Sequence, residues 1–341
     1  MARVLILGGA GFIGYHLGRY LAEQSGHQIT LIDNLSRGEL DEELREFLTQ
    51  HPLVELLTGD LTEQGTLRRL SEPFDFVYLL AGLIGVRNVQ ARPAEVIHTN
   101  TAILLNTLEW LAEKGCRRLL FASTGEVYAG SVELDVALIP TAENVPLAVL
   151  EIQHPRSSYA VTKMLGEAAV IHYARAFGFE AVVVRYHNVY GSRMGFDHVV
   201  PELIERIHRK MDPLPVYGQE QTRAFCYVTD AVAASEVLMN CPLDNCEIVH
   251  VGNDQEEITI KELLGKLLDL SGFHPRIEAL PAPPGAVDRR CPDISKLRAL
   301  TGFQPKVGID RGLALTWEWY QQKLCRGESG ASLAASREDA R

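Results

Sequence analysis

Short apolar runs rich in strand-forming residues alternate with longer helical stretches along most of this chain. Seven such runs begin at positions 4, 28, 54, 76, 117, 181 and 247, and they read VLILGG, QITLID, VELLTGD, FVYLLA, RRLLFAST, AVVVRYH and EIVHVG. This alternation is typical of a parallel, doubly wound α/β sheet. Several runs are apolar throughout, as expected of strands that helices cover on both faces. The pattern therefore predicts one large α/β layer sandwich.

The later part of the chain differs in character. Proline and glycine interrupt short elements in PLPVYG from 213, PAPPGAV from 281 and TGFQPKVG from 301. We interpret residues 1–187 and 229–252 as the sheet domain, and residues 188–228 and 253–325 as a smaller C-terminal substrate-binding lobe. Residues 326–341 are small and polar and show no period, so we expect a disordered tail there.

Composition narrows the classes of function. The chain has 341 residues, of which 46% are hydrophobic, and this is enough for a substantial core. Lys and Arg total 33 against 44 Asp and Glu, and the net charge of -11 argues against nucleic acid as a partner. No apolar run approaches the roughly 18 to 20 residues that span a bilayer, so we expect no membrane segment and a cytoplasmic location. The cysteines form no CxxC pair, so we expect free thiols and no metal site.

The first apolar run leads directly into a glycine-rich turn, GGAGFIG, which opens a helical stretch. Gly8, Gly11 and Gly14 have the spacing of a dinucleotide-binding turn. A tight bend, close approach of the backbone to a pyrophosphate, and close packing of helix on strand each exclude a Cβ there. The helix start also offers unpaired N–H groups and a positive dipole end to a phosphate. We therefore expect a Rossmann-type fold in which Phe12 and Ile13 line the cofactor together with the glycines.

The second apolar run ends in Asp33, whose carboxylate is placed to accept hydrogen bonds from the adenosine ribose hydroxyls and to repel a 2′-phosphate. This favours NAD over NADP, although Arg37, four residues later, keeps NADP as the alternative. Asp60, which closes LLTGD, fits a polar contact to the adenine. Other residues at these strand ends are expected to line the cofactor, namely Asn34, Leu61 and Ala81.

Six motifs occur in a fixed order along the chain: GGAGFIG, DNLSRG, GDL, STGEVY, YAVTK and RYHNVYG. With them the chain resembles the extended short-chain dehydrogenase/reductase family over nearly its whole length, to about residue 325. The resemblance implies enzymes that epimerise, dehydrate or decarboxylate sugar nucleotides. It also implies tightly held NAD and dimers built from helices.

Tyr159 and Lys163 are four residues apart in a stretch with helical period, so both project from one face. A nearby ammonium and a positive nicotinamide would lower the phenol pKa and allow Tyr159 to take a sugar hydroxyl proton while hydride leaves for NAD. Both residues are therefore expected to contact the cofactor as well. Thr124 ends the fifth run, at the sheet edge where such folds bind ligands, and is expected to bond the reacting oxygen. Asn100 is a candidate either for this site or for capping the helix that follows it.

The reaction that follows C4 oxidation depends on other groups. Gly125 and Glu126 follow Thr124, where the 4,6-dehydratases carry an Asp and Glu pair, so Gly125 argues against ordinary 4,6-dehydration. STGEVY, NVYGSRMG and QTRAFCYVTD are similar to segments of UDP-glucuronate decarboxylases. That likeness implies that Glu126 orients or protonates groups at the ring and that Arg223 holds the pyrophosphate or the uronate. The same segments supply two further substrate-binding candidates, Asn188 and Arg193.

Two departures leave a different reaction open. The residues between Tyr159 and Lys163 are Ala-Val-Thr and lack the acidic pair usual in the decarboxylases. In addition, AGLIGVRNV from 81 resembles a segment of uronate and hexose 4-epimerases, and Arg87 within it is a candidate phosphate or carboxylate contact. A UDP-sugar 4-epimerase or another NDP-sugar dehydratase is therefore the alternative to a decarboxylase.

Two further expectations concern activity and assembly. A catalytically idle NAD-binding sensor is the remote alternative, and the intact Thr124, Tyr159 and Lys163 count against it. Apolar positions near 93–114 and 156–177 exceed what one sheet face can cover, so we expect a homodimer built through a four-helix bundle.

Overall fold

The computed structural model of the chain describes residues 1–283 and 285–326. The tail expected to be disordered lies, apart from Arg326, outside the described residues. The strands within the described ranges are β1 (Arg3–Leu7), β2 (Gln28–Asp33), β3 (Val54–Thr58), β4 (Phe74–Leu79), β5 (Cys116–Thr124), β6 (Glu180–Tyr186), β7 (Val189–Tyr190), β8 (Leu214–Tyr217), β9 (Thr222–Ala224), β10 (Cys226–Tyr227), β11 (Cys246–Val251), β12 (Glu257–Thr259), β13 (Ile277–Leu280) and β14 (Arg289–Arg290).

The helices run between and after these strands. They are α1 (Phe12–Ser25), α2 (Glu42–Gln50), α3 (Gln64–Arg68), α4 (Val86–Ala91), α5 (Pro93–Lys114), α6 (Ala129–Glu133), α7 (Pro155–Phe177), α8 (Val199–His208), α9 (Val228–Asn240), α10 (Ile260–Ser271), α11 (Ser295–Thr301) and α12 (Ile309–Cys325). A short 3-10 turn, Gly125–Tyr128, joins β5 to α6. Among the described helices, none has both the length and the apolar character needed to cross a membrane.

Seven strands form one parallel sheet in the order β11-β6-β5-β4-β1-β2-β3. All seven runs predicted as strands lie in this sheet, so the predicted doubly wound, Rossmann-type α/β fold is confirmed. The strand order reverses between β1 and β4. In sheets of this kind ligands bind beyond the carboxyl ends of the strands at such a reversal.

The core has two halves, one on each face of the sheet. In β1, Val4 and Ile6 belong to one buried apolar cluster, whereas Leu5 and Leu7 belong to the other. Successive side chains of a strand point to opposite faces, so an uninterrupted apolar run fills both halves. This is why the strand sequences lack a polar alternation.

Three small sheets stand apart from the central one. They pair β10 with β7, β12 and β14 with β9, and β13 with β8. Every strand of these small sheets falls within residues 188–228 or 253–325, the segments assigned to the second lobe. We keep that division of the chain as a proposal.

A buried ion pair fixes α7 against the sheet. Glu167 accepts hydrogen bonds from Arg185 on β6, at 2.8 Å from Nε and 2.5 Å from Nη2, and from the Ser123 hydroxyl on β5, at 2.5 Å. Glu167 lies one helical turn beyond Lys163 and two turns beyond Tyr159, on the same face of α7. Glu167 therefore fixes the orientation of α7 about its axis. In this orientation Tyr159 and Lys163 face the carboxyl end of β5.

Candidate active site

The glycine turn has the shape that a pyrophosphate needs. A Cβ at Gly14 would lie 2.1 Å from the carbonyl oxygen of Gly8, and Gly8 itself has φ +89°. The start of α1 carries no acidic residue, and among the described residues no side chain caps it. The first N–H groups of a helix have no partner within the helix and favour an anion. The turn therefore fits a dinucleotide at Gly8, Gly11, Phe12, Ile13 and Gly14.

Asp33 has a structural role that the sequence did not reveal. Its Oδ2 accepts a hydrogen bond from Ala10 N at 3.1 Å, and its Oδ1 accepts one from Leu35 N at 2.8 Å. Burial raises the pKa of this carboxyl group, and the backbone hydrogen bonds oppose that rise. Asp33 thus holds the glycine turn from the end of β2. Its expected contact with the ribose stays a prediction.

The remaining expected cofactor residues cluster at the neighbouring strand ends. Asn34 Nδ2 donates to Asp60 Oδ2 at 3.2 Å, and the other oxygen of Asp60 accepts two hydrogen bonds from Thr62. Leu61 is buried. Ala81 follows β4, and its backbone nitrogen lies 2.8 Å from where a Cβ at Gly8 would stand. The structure therefore brings these groups to one edge of the sheet, while their contacts with NAD stay predictions.

Tyr159 and Lys163 lie on α7 as expected, beside the end of β5. The Thr124 side chain lies near enough to the Tyr159 phenol to lower its pKa. The Lys163 Nζ donates to the carbonyl of Ala122 at 2.8 Å and lies 5.8 Å from the centre of the Tyr159 ring. Burial lowers the pKa of Lys163 to about 8, against the opposing charge of Glu167. Thr124, Tyr159 and Lys163 therefore share one site.

The net effect of the protein's own groups is to raise the pKa of Tyr159. Burial raises that pKa, the Glu126 carboxylate raises it further, and only the hydrogen bond with Thr124 and the charge of Arg37 act in the other direction. The expected lowering includes the positive charge of the nicotinamide in bound NAD, so it stays a prediction. A phenol buried in this way takes up a proton readily once it has lost one, because the neutral form is favoured.

Asn100 does not cap a helix, because α5 begins seven residues earlier, at Pro93. Its side chain instead binds the loop after β4. Asn100 Oδ1 accepts from Leu83 N at 2.7 Å, and its Nδ2 donates to Leu83 O at 3.2 Å. The residue is buried, and a Cβ at Gly82 would lie 3.1 Å from Asn100 Oδ1 and 3.9 Å from Lys163 Nζ. Asn100 therefore shapes the loop next to Lys163.

An arginine cluster surrounds Glu126. The carboxylate of Glu126 accepts hydrogen bonds from Arg290 at 2.9 Å and from Arg156 at 3.2 and 3.4 Å. Burial would raise the pKa of Glu126, but the charges of Arg290 and Arg156 outweigh it and lower the pKa to about 2. Glu126 therefore stays ionised at neutral pH. This favours the expected role of orienting groups over that of protonating them, and both roles stay predictions.

Arg223 belongs to the same cluster. Its guanidinium donates to the carbonyls of Thr222 at 2.7 Å and of Asp288 at 3.2 Å. Burial and the charge of Arg290 lower its pKa to about 10, against the opposing charge of Glu126. Four elements that are distant in sequence thus meet here: the turn Gly125–Tyr128, α7, β9 and β14. Together they place three arginines around the Glu126 carboxylate, two residues from Thr124.

Three other predicted substrate residues have contacts elsewhere. Arg193 lies over the Tyr15 ring at 4.1 Å and is paired with Asp41 at 2.6 Å and Glu43 at 3.2 Å. These carboxylates neutralise its charge, so its contacts do not support the expected substrate role. The remaining two are Asn188, whose Nδ2 donates to Ala224 O at 3.0 Å, and Arg87, whose exposed side chain lies 3.3 Å from Asp197.

Three residues of this site were missed from the sequence. Arg156 precedes Tyr159 by three positions on α7, and its helical spacing was a usable signal. Arg290 is 164 residues from Glu126 in sequence, so no local pattern indicates it. His187 follows β6 and packs directly against Gly125. Groups of His, Cys, Asp and Glu suited to a metal ion do not occur among the described residues.

Known proteins with similar sequences combine this fold with closely related activities. UDP-N-acetyl-alpha-D-glucosaminuronate decarboxylase of Bacillus cytotoxicus is 33% identical over 330 residues, which cover 94% of this chain and 98% of that protein. UDP-glucuronic acid decarboxylase 1 of Danio rerio is 34% identical over 325 residues, which cover 94% of this chain and 73% of that protein. The solved UDP-glucose 4-epimerase of Thermotoga maritima with UDP-glucose superimposes with a TM-score of 0.82 at 28% identity, covering 94% of this chain and 99% of the epimerase.

The sequence profile of one family matches the larger part of the chain. The match extends over residues 4–252, from β1 through β11, and so includes the glycine turn, Thr124, Tyr159 and Lys163. On this ground the chain belongs to the NAD dependent epimerase/dehydratase family, and NAD is its cofactor.

Proposed function

We propose that this protein oxidises C4 of a UDP-linked uronate and then releases the carboxylate as CO2. The observation that carries the proposal is the arginine cluster around Glu126. The cluster adjoins the turn that follows Thr124, whose side chain lies next to the Tyr159 phenol. The relatives named as uronate decarboxylases match almost the whole chain, which supports the same conclusion.

The charge of the cluster suits an anionic sugar. Arg156, Arg223 and Arg290 supply three positive charges, and Glu126 and Asp288, the carboxylates that act on them, supply two negative charges. Three against two leaves one positive charge in excess. Burying cations together is costly unless an anion compensates them. One substrate carboxylate supplies the missing negative charge.

The chain's residues divide the chemical work. When NAD is bound, it supplies the acceptor for the C4 hydride. Tyr159 takes the proton of the C4 hydroxyl while Thr124 holds the oxygen through its hydroxyl. Lys163 anchors the end of β5 through Ala122 and places a positive charge beside the phenol. The C4 ketone makes the substrate a β-keto acid, so the electrons of the breaking carbon–carbon bond pass to the ketone oxygen as CO2 leaves. A proton then adds at C5 of the enolate, and return of the hydride to C4 and of the Tyr159 proton to its oxygen restores the hydroxyl of the UDP-pentose.

Glu126 then has an orienting role. Because it stays ionised and bonds Arg156 and Arg290, it fixes both guanidinium groups at the edge of the sugar site. It also shares their charge, which weakens the hold of each guanidinium on the substrate carboxylate. A carboxylate held more loosely is easier to lose as CO2.

The test is incubation of the purified protein, loaded with NAD, with UDP-glucuronate and with UDP-N-acetylglucosaminuronate. We expect CO2 to be released and a UDP-pentose, or its 2-acetamido analogue, to form. NMR detects both products. UDP-glucose, which has no carboxylate, serves as the control and should give no CO2. Absence of CO2 from both uronates would overturn the proposal.

A 4-epimerase is the second candidate, favoured by the structural likeness to the UDP-glucose 4-epimerase of Thermotoga maritima. In that reaction the 4-keto sugar rotates and takes hydride back on its other face, so the arginine cluster would contact the sugar without releasing part of it. The same NMR experiment decides between the two, because an epimerase inverts C4 and leaves the carboxylate in place.

We also propose a homodimer formed through α5 and α7. These helices pack against each other and leave apolar side chains exposed on both, namely Ile97, Leu105, Leu165 and Phe177. Exposed apolar stripes on two adjacent helices suit a four-helix interface. The cytoplasmic location expected from the sequence stays a proposal, and cell fractionation tests it.

A further inference from the structure

His187 and Gly125 are packed as a pair beneath the catalytic turn. A Cβ at Gly125 would lie 2.6 Å from Cε1, 2.7 Å from Nδ1 and 3.2 Å from Nε2 of His187. Distances below 3.0 Å to a ring leave no room for a side chain. The part of the imidazole that carries both nitrogens is therefore the part turned toward Gly125. Only glycine therefore fits at position 125 beside this ring. The same residue connects Thr124 to Glu126.

Neither nitrogen of His187 has a hydrogen-bond partner within the described part of the chain, although the side chain is only 2% exposed. A buried polar group without a partner destabilises the folded protein, and native proteins keep few of them. Such a group calls for a ligand or an ordered water in the working protein.

The neighbouring His250, by contrast, has hydrogen-bond partners at both ring nitrogens. His250 lies 4.6 Å from His187, centre to centre. The Tyr128 hydroxyl accepts a hydrogen bond from Arg185, so its own proton goes to His250 Nε2 at 2.7 Å. The proton of His250 then lies on Nδ1 and is donated to the carbonyl of Asp293 at 3.0 Å. His250 is thus fully used, whereas His187 retains one donor and one acceptor.

The ring of His187 is uncharged. Burial lowers the pKa of His187 well below its ordinary value, and His250, Arg290 and Arg185 lower it further. A neutral imidazole has one N–H donor and one acceptor nitrogen. Because the two nitrogens point in different directions, one ligand atom can bond only one of them. A hydroxyl or a water oxygen can serve either nitrogen, whereas a carboxylate can serve only the N–H. The shared chemistry of the expected ligand is therefore a neutral oxygen.

We propose that His187 is a positioning residue of this active site: it fills the side-chain space that Gly125 leaves, supports the turn that carries Thr124 and Glu126, and binds a neutral oxygen at the sugar site. The oxygen belongs either to the sugar or to a bound water. This inference rests on the proposed function only in placing a UDP-sugar next to Thr124, and it holds whichever reaction follows C4 oxidation.

The test compares His187→Phe, which keeps a ring without nitrogens, with His187→Gln, which keeps a donor and an acceptor. His274→Phe, at an exposed position, is the control. We expect His187→Phe to lower kcat/KM for the UDP-sugar about 10-fold, the loss typical of one hydrogen bond, while the Kd for UDP and for NAD changes less than twofold. His187→Gln should recover part of the loss, and His274→Phe should match the unaltered protein.

Two results would overturn the proposal: a His187→Phe protein with unchanged kcat/KM, or one that loses UDP and NAD affinity in parallel with turnover, as a merely structural residue would. If His187→Phe does not fold, His187→Gln decides, and less activity than one tenth of the unaltered protein counts against the role. Failure of the proposed function is distinct, because then the unaltered protein itself would release no CO2 from either uronate, whatever the His187 variants do.

Crystal structures with NAD and UDP, and with NAD and a UDP-sugar, identify the oxygen. An oxygen within hydrogen-bond distance of His187 in the UDP complex indicates a bound water. An oxygen present only with the sugar indicates a substrate group. No oxygen in either complex would refute the proposal without reference to activity.

Discussion

The carboxylate of Glu126 accepts a hydrogen bond from Nη1 of Arg290 at 2.9 Å, although 164 residues separate them in the chain. Glu126 follows β5 of the central sheet, and Arg290 lies on β14 in a small sheet paired with β9. Tyr159 and Lys163, the proposed catalytic pair, therefore lie on α7 beside the central sheet, whereas Arg290, a proposed contact of the substrate carboxylate, lies in a small sheet. The central sheet and α7 thus set the positions of Tyr159 and Lys163, whereas a small sheet supplies the positive charge of Arg290.

Arg290→Ala should raise the KM for a UDP-uronate about 10-fold to 100-fold, because one charge-assisted contact to the carboxylate is lost. Steady-state kinetics on UDP-glucuronate measure this. The neighbouring Arg289 offers a matched control, since its side chain is half exposed and paired with Glu257 at 2.8 Å. Equal effects of Arg290→Ala and Arg289→Ala would speak against a specific seat for the carboxylate.

Tyr159→Phe should reduce turnover by about 100-fold or more while UDP-sugar binding persists, since the hydroxyl moves the proton and the ring provides the packing. Single-turnover formation of NADH, followed by absorbance, reports the first step directly. Tyr217→Phe, at a side chain that is 46% exposed, is the control. Native turnover by the Tyr159→Phe protein would show that another group is the base.

Asp33→Ala should have two effects. It should narrow the preference for NAD over NADP, because a carboxylate no longer opposes the 2′-phosphate. It should also lower the free energy of unfolding by about 1 to 3 kcal/mol in the absence of cofactor, since Ala10 N and Leu35 N lose their buried acceptor. Denaturation in urea and direct titration with both cofactors measure the two effects. An unchanged cofactor preference would remove Asp33 as the discriminator.

The lowered pKa of Glu126 predicts a stability that depends on pH. Its pKa is about 2 in the folded protein against an ordinary value of 4.5, so the unfolded chain takes up the proton first as the pH falls. The contribution is therefore complete above about pH 5 and is lost progressively below it. Between pH 5.5 and 3 the unaltered protein should lose about 1 to 3 kcal/mol more unfolding free energy than Glu126→Gln. Glu133→Gln, at an exposed position, should follow the unaltered protein, and parallel curves for all three would contradict the assignment.

Leu165→Glu should convert the proposed dimer to a monomer, because a carboxylate buried in an apolar interface has no compensating partner. Light scattering at micromolar concentration measures the mass. Leu134→Glu, at a similarly exposed leucine outside α5 and α7, should leave the mass unchanged. A monomeric unaltered protein at that concentration would refute the proposed assembly.

The sequence determined the layout of the sheet and the location of the chemistry. Uninterrupted apolar runs must be strands covered on both faces, which is why all seven were recognised. The glycine turn, Tyr159 and Lys163 were readable because a turn between strand and helix and a four-residue helical spacing are local patterns. Arg156, three residues before Tyr159, was missed, although the same helical spacing indicates it.

Only the tertiary structure decided the charge and the packing of the site. Arg290 joins Glu126 through the pairing of β14 with β9, and no local periodicity encodes a contact between residues so far apart. The pKa of Tyr159 depends on burial and on Glu126, neither of which its own helix specifies. Gly125 could be read from the sequence as a missing acid, but only the fold shows that His187 fills the space, since sterics act between atoms that folding brings together.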